Sequence, residues 1–206
     1  MGRPTQEESQ ELGENIIKAA LELFLESGYD ATSMEAIANA ADISKRTLYA
    51  RYTDKSTLFL EALRWSMKDW VFSLPPAIEL DNESLESALQ FAAEALLRQA
   101  LDPKYVKLGR IVAAQAEMFH TETAYNYNMS LSPRVRIIFD ILNVHRDELK
   151  EEYLEDLETT AELFVSLISG IPSRLASFGT LRSERHEQQR LGLAVALFVD
   201  GIRKKG

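Results

Sequence analysis

The chain has 206 residues, 46% of them hydrophobic, which is enough to bury the core of one large domain or of a small domain joined to a larger one. Acidic residues outnumber basic ones by 32 to 23, and the net charge of −9 argues against non-specific binding to polyanions while leaving room for a local basic patch. With no cysteine, no apolar run near ~20 residues and a polar N-terminus without a signal-peptide core, the sequence predicts a cytoplasmic protein that has no disulfides, thiolate chemistry or membrane partner.

Nearly every segment has the apolar spacing that is typical of helices, so we predict an all-α protein of about nine helices. The first helix is predicted over residues 14–27, with Gly28 as its C-terminal cap. Thr32 and Glu35 fit a capping box, in which the threonine caps a short second helix and the glutamate reaches back to it. That second helix is expected to bury Met34, Ile37, Ala38 and Ala41.

A third short helix follows after a tight turn, which makes a helix-turn-helix unit. Ser44 can cap this helix at its start. At 3.6 residues per turn, Leu48 and Tyr52 share one apolar face that should pack inward. Arg46 and Ala50 then lie on the opposite face, where the small alanine would let the backbone approach a base edge.

The outer surface of this third helix is basic and rich in hydrogen-bonding groups. Residues 43–55 contain one acid and four bases, which are Lys45, Arg46, Arg51 and Lys55. Arg46 can make bidentate hydrogen bonds to guanine, and Thr47 can contact a thymine methyl group or a phosphate. Tyr49 can donate to a phosphate, and Lys55 can add its charge to the amides at the start of the next helix. This pattern favours a DNA-binding surface, with a solvated helix face as the alternative.

The remainder of the chain is also helical. Six longer helices are predicted, over residues 55–74, 82–101, 103–120, 134–144, 155–178 and 184–203. Pro133 either starts a helix or kinks one.

Residues 14–60 resemble the DNA-binding domain of TetR-type transcriptional regulators. The residues that carry the resemblance are Phe24, Gly28, Tyr29, Thr32, Ser33, Ile37, Ala38, Ala41, Ile43, Ser44, Thr47, Leu48, Tyr49, Tyr52, Lys55 and Leu58. The helical remainder is similar to the family in layout. The resemblance implies an N-terminal helix-turn-helix domain of three helices, residues 1–57, followed by a larger ligand-binding and dimerisation domain, residues 58–206.

Roles for single residues follow from the resemblance. It implies that phosphates are contacted by Thr32, Ser33, Tyr49 and Lys55, and that bases are faced by Lys45, Arg46, Thr47 and Ala50. Ser44 belongs to the same surface, and Arg3 is expected to reach the minor groove. Asp42 replaces the usual glycine of the turn but tolerates the left-handed conformation. Ala50 replaces a common histidine and Arg51 a common tyrosine, which affects the operator sequence and not DNA binding itself.

The resemblance also implies a mechanism. The protein forms a homodimer through its last two helices, which matches their apolar residues Phe164, Ile168, Leu191, Val195, Phe198 and Ile202, although an intramolecular core explains these residues equally well. A ligand in the C-terminal domain moves the helix that begins at Lys55. That movement changes the separation of two recognition helices, which must match half-sites ~34–36 Å apart or a multiple of that distance.

Large aromatic and methionine side chains suggest where the ligand binds. The candidate pocket residues are Trp65, Trp70, Met118, Phe119, His120, Tyr125, Tyr127, Asn128 and Met129. With few polar groups, such a pocket suits a small apolar or aromatic effector. The alternative is that these residues are ordinary core.

The alternative to a regulator is an enzyme with a metal site. Glu117 and His120 form the Glu-x-x-His motif of di-iron bundles, but those sites need two such motifs, and neither His145 nor His186 supplies the second. Three histidines and no cysteine also disfavour zinc. We therefore predict no catalytic residue, metal or cofactor. The predicted function is a repressor that an effector releases from a palindromic operator, and the alternative is a helical-bundle ligand-binding or metal-binding protein of the enzyme class.

Overall fold

The computed structural model describes residues 5–71, 83–115, 117 and 133–204, with the backbone alone at 67–71. These residues fold into ten α-helices and one 3-10 turn, which confirms the all-α class. The helices are α1 (Gln6–Ser27), α2 (Met34–Ala40), α3 (Lys45–Arg51), α4 (Lys55–Val71), α5 (Leu85–Leu101), α6 (Pro103–Ala114), α7 (Pro133–Val144), α8 (Glu151–Leu154), α9 (Leu157–Ser177) and α10 (Glu184–Ile202), with the 3-10 turn at Arg146–Glu148. Within this described part of the chain no helix has both the length and the apolar character needed to cross a membrane.

The chain divides into two compact units, the N-terminal unit (Met1–Trp70) and the C-terminal unit (Val71–Gly206). The boundary that the sequence placed after residue 57 therefore falls inside α4, nearly all of which belongs to the N-terminal unit. Aromatic packing accounts for this: the ring of Phe59 on α4 lies 5.0 Å from the ring of Phe24 and 5.1 Å from that of Tyr29. Burying each such ring contributes about 1.5–3 kcal/mol, and the shared cluster holds the start of α4 to α1.

Helix α1 begins at Gln6, eight residues earlier than the predicted start at residue 14. Its first turns are polar and carry no apolar stripe, so periodicity alone missed them. A capping box fixes the start, because the backbone N–H of Thr5 donates to Glu8 Oε2 at 2.8 Å and the N–H of Glu8 donates to Thr5 Oγ1 at 3.2 Å. The far end agrees with the prediction: Gly28 has a φ of 83° and its N–H donates to the Phe24 carbonyl.

The cap of α2 is Ser33, and the prediction that Thr32 caps it was wrong. Ser33 Oγ accepts from the N–H of Ala36 at 3.1 Å. Thr32 is buried instead, and its hydroxyl is within 2.7 Å of the Gly28 carbonyl and 3.2 Å of the Leu23 carbonyl. The loop after α1 turns the threonine inward, and with the cap moved by one residue Glu35 no longer occupies the capping-box position.

In the C-terminal unit α5 is the central helix. It packs against α6, α7, α9 and α10, while α7 and α9 pack along each other. Helix α5 is buried on most of its circumference, and half of its buried residues are alanines, namely Ala88, Ala92, Ala93, Ala95 and Ala100. These small side chains let the neighbouring helices approach closely, so that one helix contacts four others.

The helices of the C-terminal unit start and end close to their predicted positions, with one clear exception. Helix α6 ends at Ala114, where the N–H of Gln115 caps the last turn, and not at residue 120. Pro133 begins α7, the first of the two predicted alternatives. The short helix α8 and the 3-10 turn were not predicted, because each is too short to show a helical period.

Pro172 lies inside α9 and interrupts its backbone hydrogen bonds. Because proline has no N–H, the Ile168 carbonyl one turn earlier lacks its helical donor. The Arg190 guanidinium of α10 fills this position, donating to the Ile168 carbonyl at 2.6 Å and to the Leu167 carbonyl at 3.0 Å. Arg190 also donates to the Glu187 carboxylate at 2.8 Å. Glu187 is only 4% exposed, so this ion pair neutralises a buried charge. The network therefore joins α9 to α10 at the break in α9.

Candidate nucleic-acid interface

The turn before α3 has the conformation that the sequence predicted. Asp42 has a φ of 53°, in the left-handed region that aspartate tolerates. The N–H of Ile43 donates to the Ala38 carbonyl at 2.9 Å, and the Asn15 amide of α1 donates to the Ala41 carbonyl at 3.1 Å. These bonds fix the angle at which the chain enters α3.

The buried face of helix α3 is the one that the 3.6-residue helical period predicted. Leu48 is fully buried and Tyr52, just beyond the helix, is 7% exposed. The predicted cap is confirmed, because Ser44 Oγ accepts from the N–H of Thr47 at 3.1 Å. The opposite surface of the helix is exposed, and it carries Lys45, Arg46, Thr47, Tyr49 and Ala50. These five predicted DNA-facing residues therefore share one accessible surface.

Three of the four cations in residues 43–55 are engaged within the chain. Lys45 Nζ lies 2.8 Å from Glu35 Oε1. Arg51 donates to Ser9 Oγ at 3.3 Å and lies across Gly13 of α1, where an added Cβ would come within 2.5 Å of its Nη2. Arg51 is thus a link between α3 and α1, a role that the sequence did not reveal.

Lys55 holds the loop between α1 and α2. Its ammonium donates to the backbone carbonyls of Tyr29 at 2.7 Å, Thr32 at 2.9 Å and Asp30 at 3.3 Å. It also lies 4.4 Å from the centre of the Tyr29 ring. All three N–H groups are used, so this arrangement leaves none for the phosphate contact that the resemblance implied, and the charge stabilises the loop instead.

Arg46 differs from these three cations. It is exposed, and it forms no hydrogen bond or ion pair with any residue of the described ranges. A guanidinium without an intramolecular partner keeps its rigid fork of donors available for a guanine edge. Among the described residues, Arg46 is therefore the cation of α3 that has no intramolecular partner.

Beside α3 lies an open cleft of about 470 Å³. It is lined by Asp30, Ala31, Thr32, Ser33, Met34, Glu35, Lys45, Tyr49 and Lys55. The Thr32 hydroxyl is turned away into the core, so a side-chain contact from Thr32 to phosphate, as the resemblance implied, is not available here. Ser33 and Tyr49 are exposed and remain candidates for phosphate contacts.

Asp54 fixes the connection from α3 to α4, and sequence reasoning did not single it out. Its Oδ1 accepts from the N–H of Thr57 at 2.7 Å and from the Ser56 hydroxyl at 2.6 Å. The bonds from Ser56 and Thr57, strengthened by Thr53, lower the pKa of the Asp54 carboxyl to about 2. An aspartate three residues before Thr57 at a helix start is a cap signature that could have been found in the sequence.

Most of the predicted ligand pocket lies outside the described residues. This applies to Met118, Phe119, His120, Tyr125, Tyr127, Asn128 and Met129, and also to Arg3 of the predicted minor-groove arm. The side chain of Trp70 is not described either. Trp65 is half-buried in the N-terminal unit, where Lys18 Nζ lies 5.6 Å from the centre of its ring.

The residues predicted for the dimer interface face the inside of the chain. Phe164, Ile168, Leu191, Val195 and Ile202 are all buried within one chain, and Phe198 stacks edge-on against Phe164 at 4.8 Å. This is the intramolecular core that the sequence left open as the alternative, and the contact between Phe164 and Phe198 joins α9 to α10. Exposed apolar residues occupy another face of the two helices and the turn between them: Leu163, Leu167, Ile171, Phe178, Leu181, Leu193 and Leu197.

Within the described residues, no group of three or more His, Cys, Asp or Glu side chains is placed to hold a metal ion. Glu117 is among these residues, but His120 is not.

Comparison with known proteins connects this geometry to a family. The family model for "Bacterial regulatory proteins, tetR family" matches residues 16–62. The transcriptional regulator AcrR of Shigella flexneri is 38% identical over 69 residues, which are 34% of this chain and 31% of AcrR. The negative transcriptional regulator IcaR of the icaADBC biofilm operon in Staphylococcus epidermidis is 24% identical over 144 residues, 68% of this chain and 75% of IcaR. The flavonoid-responsive regulator FrrA has a similar structure, with a TM-score of 0.77 and 28% identity across 96% of this chain and 100% of the FrrA chain.

The helical fold and the exposed third helix thus define a helix-turn-helix DNA-binding protein. Residues 16–62 match the TetR family of bacterial regulatory proteins, as the sequence predicted, and the chain as a whole is similar in structure to regulators of that family.

Proposed function

We propose that the protein is a transcriptional repressor that binds a near-palindromic DNA operator as a homodimer and leaves it when a small effector binds. The observation that carries the proposal is the outer face of α3, where Arg46 is exposed and unpaired above a buried Leu48. A regulator and not an enzyme is also supported by the relatives, since IcaR is named a negative regulator and FrrA a flavonoid-responsive one. We further infer that the protein acts in the cytoplasm, where bacterial DNA lies.

Recognition combines base contacts with phosphate contacts. Arg46 reads a guanine in each half-site, and Thr47 and Ala50 approach neighbouring bases. Ser33 and Tyr49 contact phosphates on either side and so position the helix without reading sequence. Direct base contacts from α3 set the preference, because the other cations near it are engaged within the chain.

The partner for dimerisation is a second copy of the chain. Leu163, Leu167 and Ile171 recur every four residues on α9, and Leu193 and Leu197 do so on α10, so each helix presents an exposed apolar stripe. These five side chains, four leucines and one isoleucine, are between 39% and 70% exposed, which is unusual for apolar stripes on a monomer. Two copies related by a twofold axis bury the stripes in a four-helix bundle and place two recognition helices on one palindrome.

The effector is a small apolar or aromatic molecule bound in the C-terminal unit, and the pocket predicted from residues 118–129 remains part of this proposal. A flavonoid is a reasonable first probe, because FrrA is named for its response to flavonoids. Effector binding weakens operator affinity by changing the separation of the two recognition helices. A coupling of roughly 1–3 kcal/mol, about 5- to 150-fold in affinity, is typical of such switches.

The test is a binding selection of the full chain on randomised duplex DNA, followed by titration of the selected duplex with flavonoids and other small aromatic compounds. The proposal expects a twofold-symmetric sequence to be enriched and at least one compound to release it. Failure to enrich any sequence would refute a DNA-binding regulator. Enrichment of an unsymmetrical site would refute the palindrome, and a symmetric site that no apolar or aromatic compound releases would contradict the effector class.

A further inference from the structure

Glu35 forms an ion pair with Lys45 inside the surface that faces DNA. Lys45 Nζ is 2.8 Å from Glu35 Oε1, and the two side chains are 53% and 63% exposed. Glu35 lies in the first turn of α2 and Lys45 is the first residue of α3, so the pair joins the two helices of the helix-turn-helix. Both side chains line the cleft that also contains Tyr49, the exposed candidate for a phosphate contact.

The pairing follows from the helix cap. Because Ser33 caps α2, Glu35 is the second residue of the helix and not the third, so it does not reach back to the cap. Its carboxylate is directed across the turn to Lys45 instead. The negative charge also suits the first turn of a helix, where it opposes the partial positive charge of the N-terminus.

This surface has little positive charge to spare for phosphates. Residues 5–71 carry seven basic and twelve acidic side chains, a net charge of −5. Lys55 and Arg51 are engaged within the chain, and Asp30 adds a second carboxylate to the cleft. Lys45 also lies beside the cleft, and its only partner among the described residues is the exposed side chain of Glu35. Lys45 is therefore the cation that could turn to a phosphate if this pair were broken.

We infer that Glu35 attenuates DNA binding by holding Lys45 in an ion pair and so withholding one phosphate contact. The inference rests on the proposed function. Phosphate contacts act on DNA of every sequence and supply most of the salt-dependent affinity. Without that contact, the affinity for all DNA is lower, while base reading by Arg46 is untouched. The operator affinity of such a repressor stays low enough for an effector with a limited coupling free energy to release it from DNA.

The experiment compares the wild type with Glu35→Gln on the selected operator and on an unrelated duplex, between about 50 and 200 mM salt. Glu35→Gln should bind both duplexes roughly tenfold more tightly at the low salt, the scale of one charge-assisted contact. The gain should fall by about 3.5-fold at the high salt, because one more phosphate contact steepens the salt slope by about 0.9. Base preferences in a repeated selection should not change.

Two further variants identify the cause of the gain. Glu61→Gln removes the same charge from another exposed ion pair of the N-terminal unit, with Arg64 at 3.9 Å on α4, and should leave the affinity within about twofold of wild type. In a Lys45→Gln background, Glu35→Gln should lose most of its effect. Circular dichroism on each variant checks that the helices are retained.

Several outcomes would overturn the inference. An unchanged salt slope in Glu35→Gln would do so, and so would an equal gain in DNA affinity in Glu61→Gln. A full gain in affinity in the Lys45→Gln background would also overturn it, because Glu35 would then act by simply repelling phosphates. A wild type that binds no duplex at all would remove the proposed function and this inference with it. A wild type that binds its operator while Glu35→Gln behaves identically would refute this inference alone.

Discussion

At the scale of single residues, Lys55 has a role that its charge alone would not suggest. Replacing it with methionine keeps the length of the side chain but removes three hydrogen bonds to loop carbonyls. We expect Lys55→Met to lower the free energy of unfolding by about 2 kcal/mol, measured by urea denaturation. Lys18→Met is the control, because Lys18 is an exposed cation near Trp65 that donates to no carbonyl among the described residues, and its replacement should cost far less.

The same variant separates the two roles of Lys55. Loss of the loop should weaken binding to all DNA while leaving the salt slope of the remaining contacts unchanged. If Lys55 contacted a phosphate, the slope would fall by about 0.9. A lower slope together with unchanged stability would contradict the loop-holding role.

Asp54 makes a prediction about acid stability. Its folded-state pKa of about 2 is below the ordinary value of 3.8, so its contribution to stability is complete above pH 3.8 and is lost as the pH falls through about 2. The difference in urea midpoint between wild type and Asp54→Asn should therefore shrink between pH about 4 and about 2. Asp42→Asn, which also suits a left-handed turn, is the control. A difference that is constant over this range would contradict the capping role.

Residue positions that depend on local chemistry were predictable from the sequence, and positions that depend on the path of a loop were not. Leu48, Ser44 and Asp42 were placed correctly because helical period, capping and turn conformation act within a few residues. Choosing between Thr32 and Ser33 as the cap required knowing which hydroxyl the loop turns inward. The partners of Lys55 lie 23 to 26 residues away in sequence, where no local signal indicates them.

At the scale of helices, the break in α9 makes Arg190 a structural residue. Arg190→Met would leave the Ile168 carbonyl without a donor and the buried Glu187 carboxylate without its close partner. We expect a loss of roughly 3–5 kcal/mol in the free energy of unfolding, as for other broken buried ion pairs. The exposed Arg174 of α9 offers the matched control, and Arg174→Met should be nearly neutral. Equal losses in the two variants would mean that the network has no special role.

Periodicity predicted where α9 and α10 lie but not which side of them meets a partner. Each helix has a wide apolar band, and one part of it, with Phe164 and Leu191, is buried inside the same chain. The neighbouring part, with Leu163 and Leu193, is exposed. A hydrophobic period marks the whole band and cannot divide it between the inside of the chain and a partner.

At the scale of the whole molecule, the two parts of this band give a test of dimerisation. Leu197 is 70% exposed, so Leu197→Asp should leave the chain folded but monomeric at micromolar concentration in light scattering. Val195 is 2% exposed, so Val195→Asp should unfold the chain by burying an unpaired charge. A folded dimer in Leu197→Asp would exclude this face as the interface.

The DNA-binding unit and its resemblance to a family could be predicted from sequence because their signals are contiguous: a cap, a turn and an inward face lie within residues 33–52. The effector pocket could not be placed in this way, since it depends on aromatic residues that core packing would explain equally well. The sequence also could not show which basic side chains are free to contact DNA, because Lys45 and Arg51 are paired with residues on other helices.

The central claim is that Arg46, exposed and unpaired on α3, reads the operator. Its most direct test is a binding selection on randomised DNA with wild type and Arg46→Ala in parallel. We predict that the mutant loses the preference for guanine at one position of each half-site, at a cost of about 1–3 kcal/mol per half-site, and keeps its other preferences. An unchanged preference at every position, with affinity lowered equally for all sequences, would make Arg46 a backbone contact and contradict the claim.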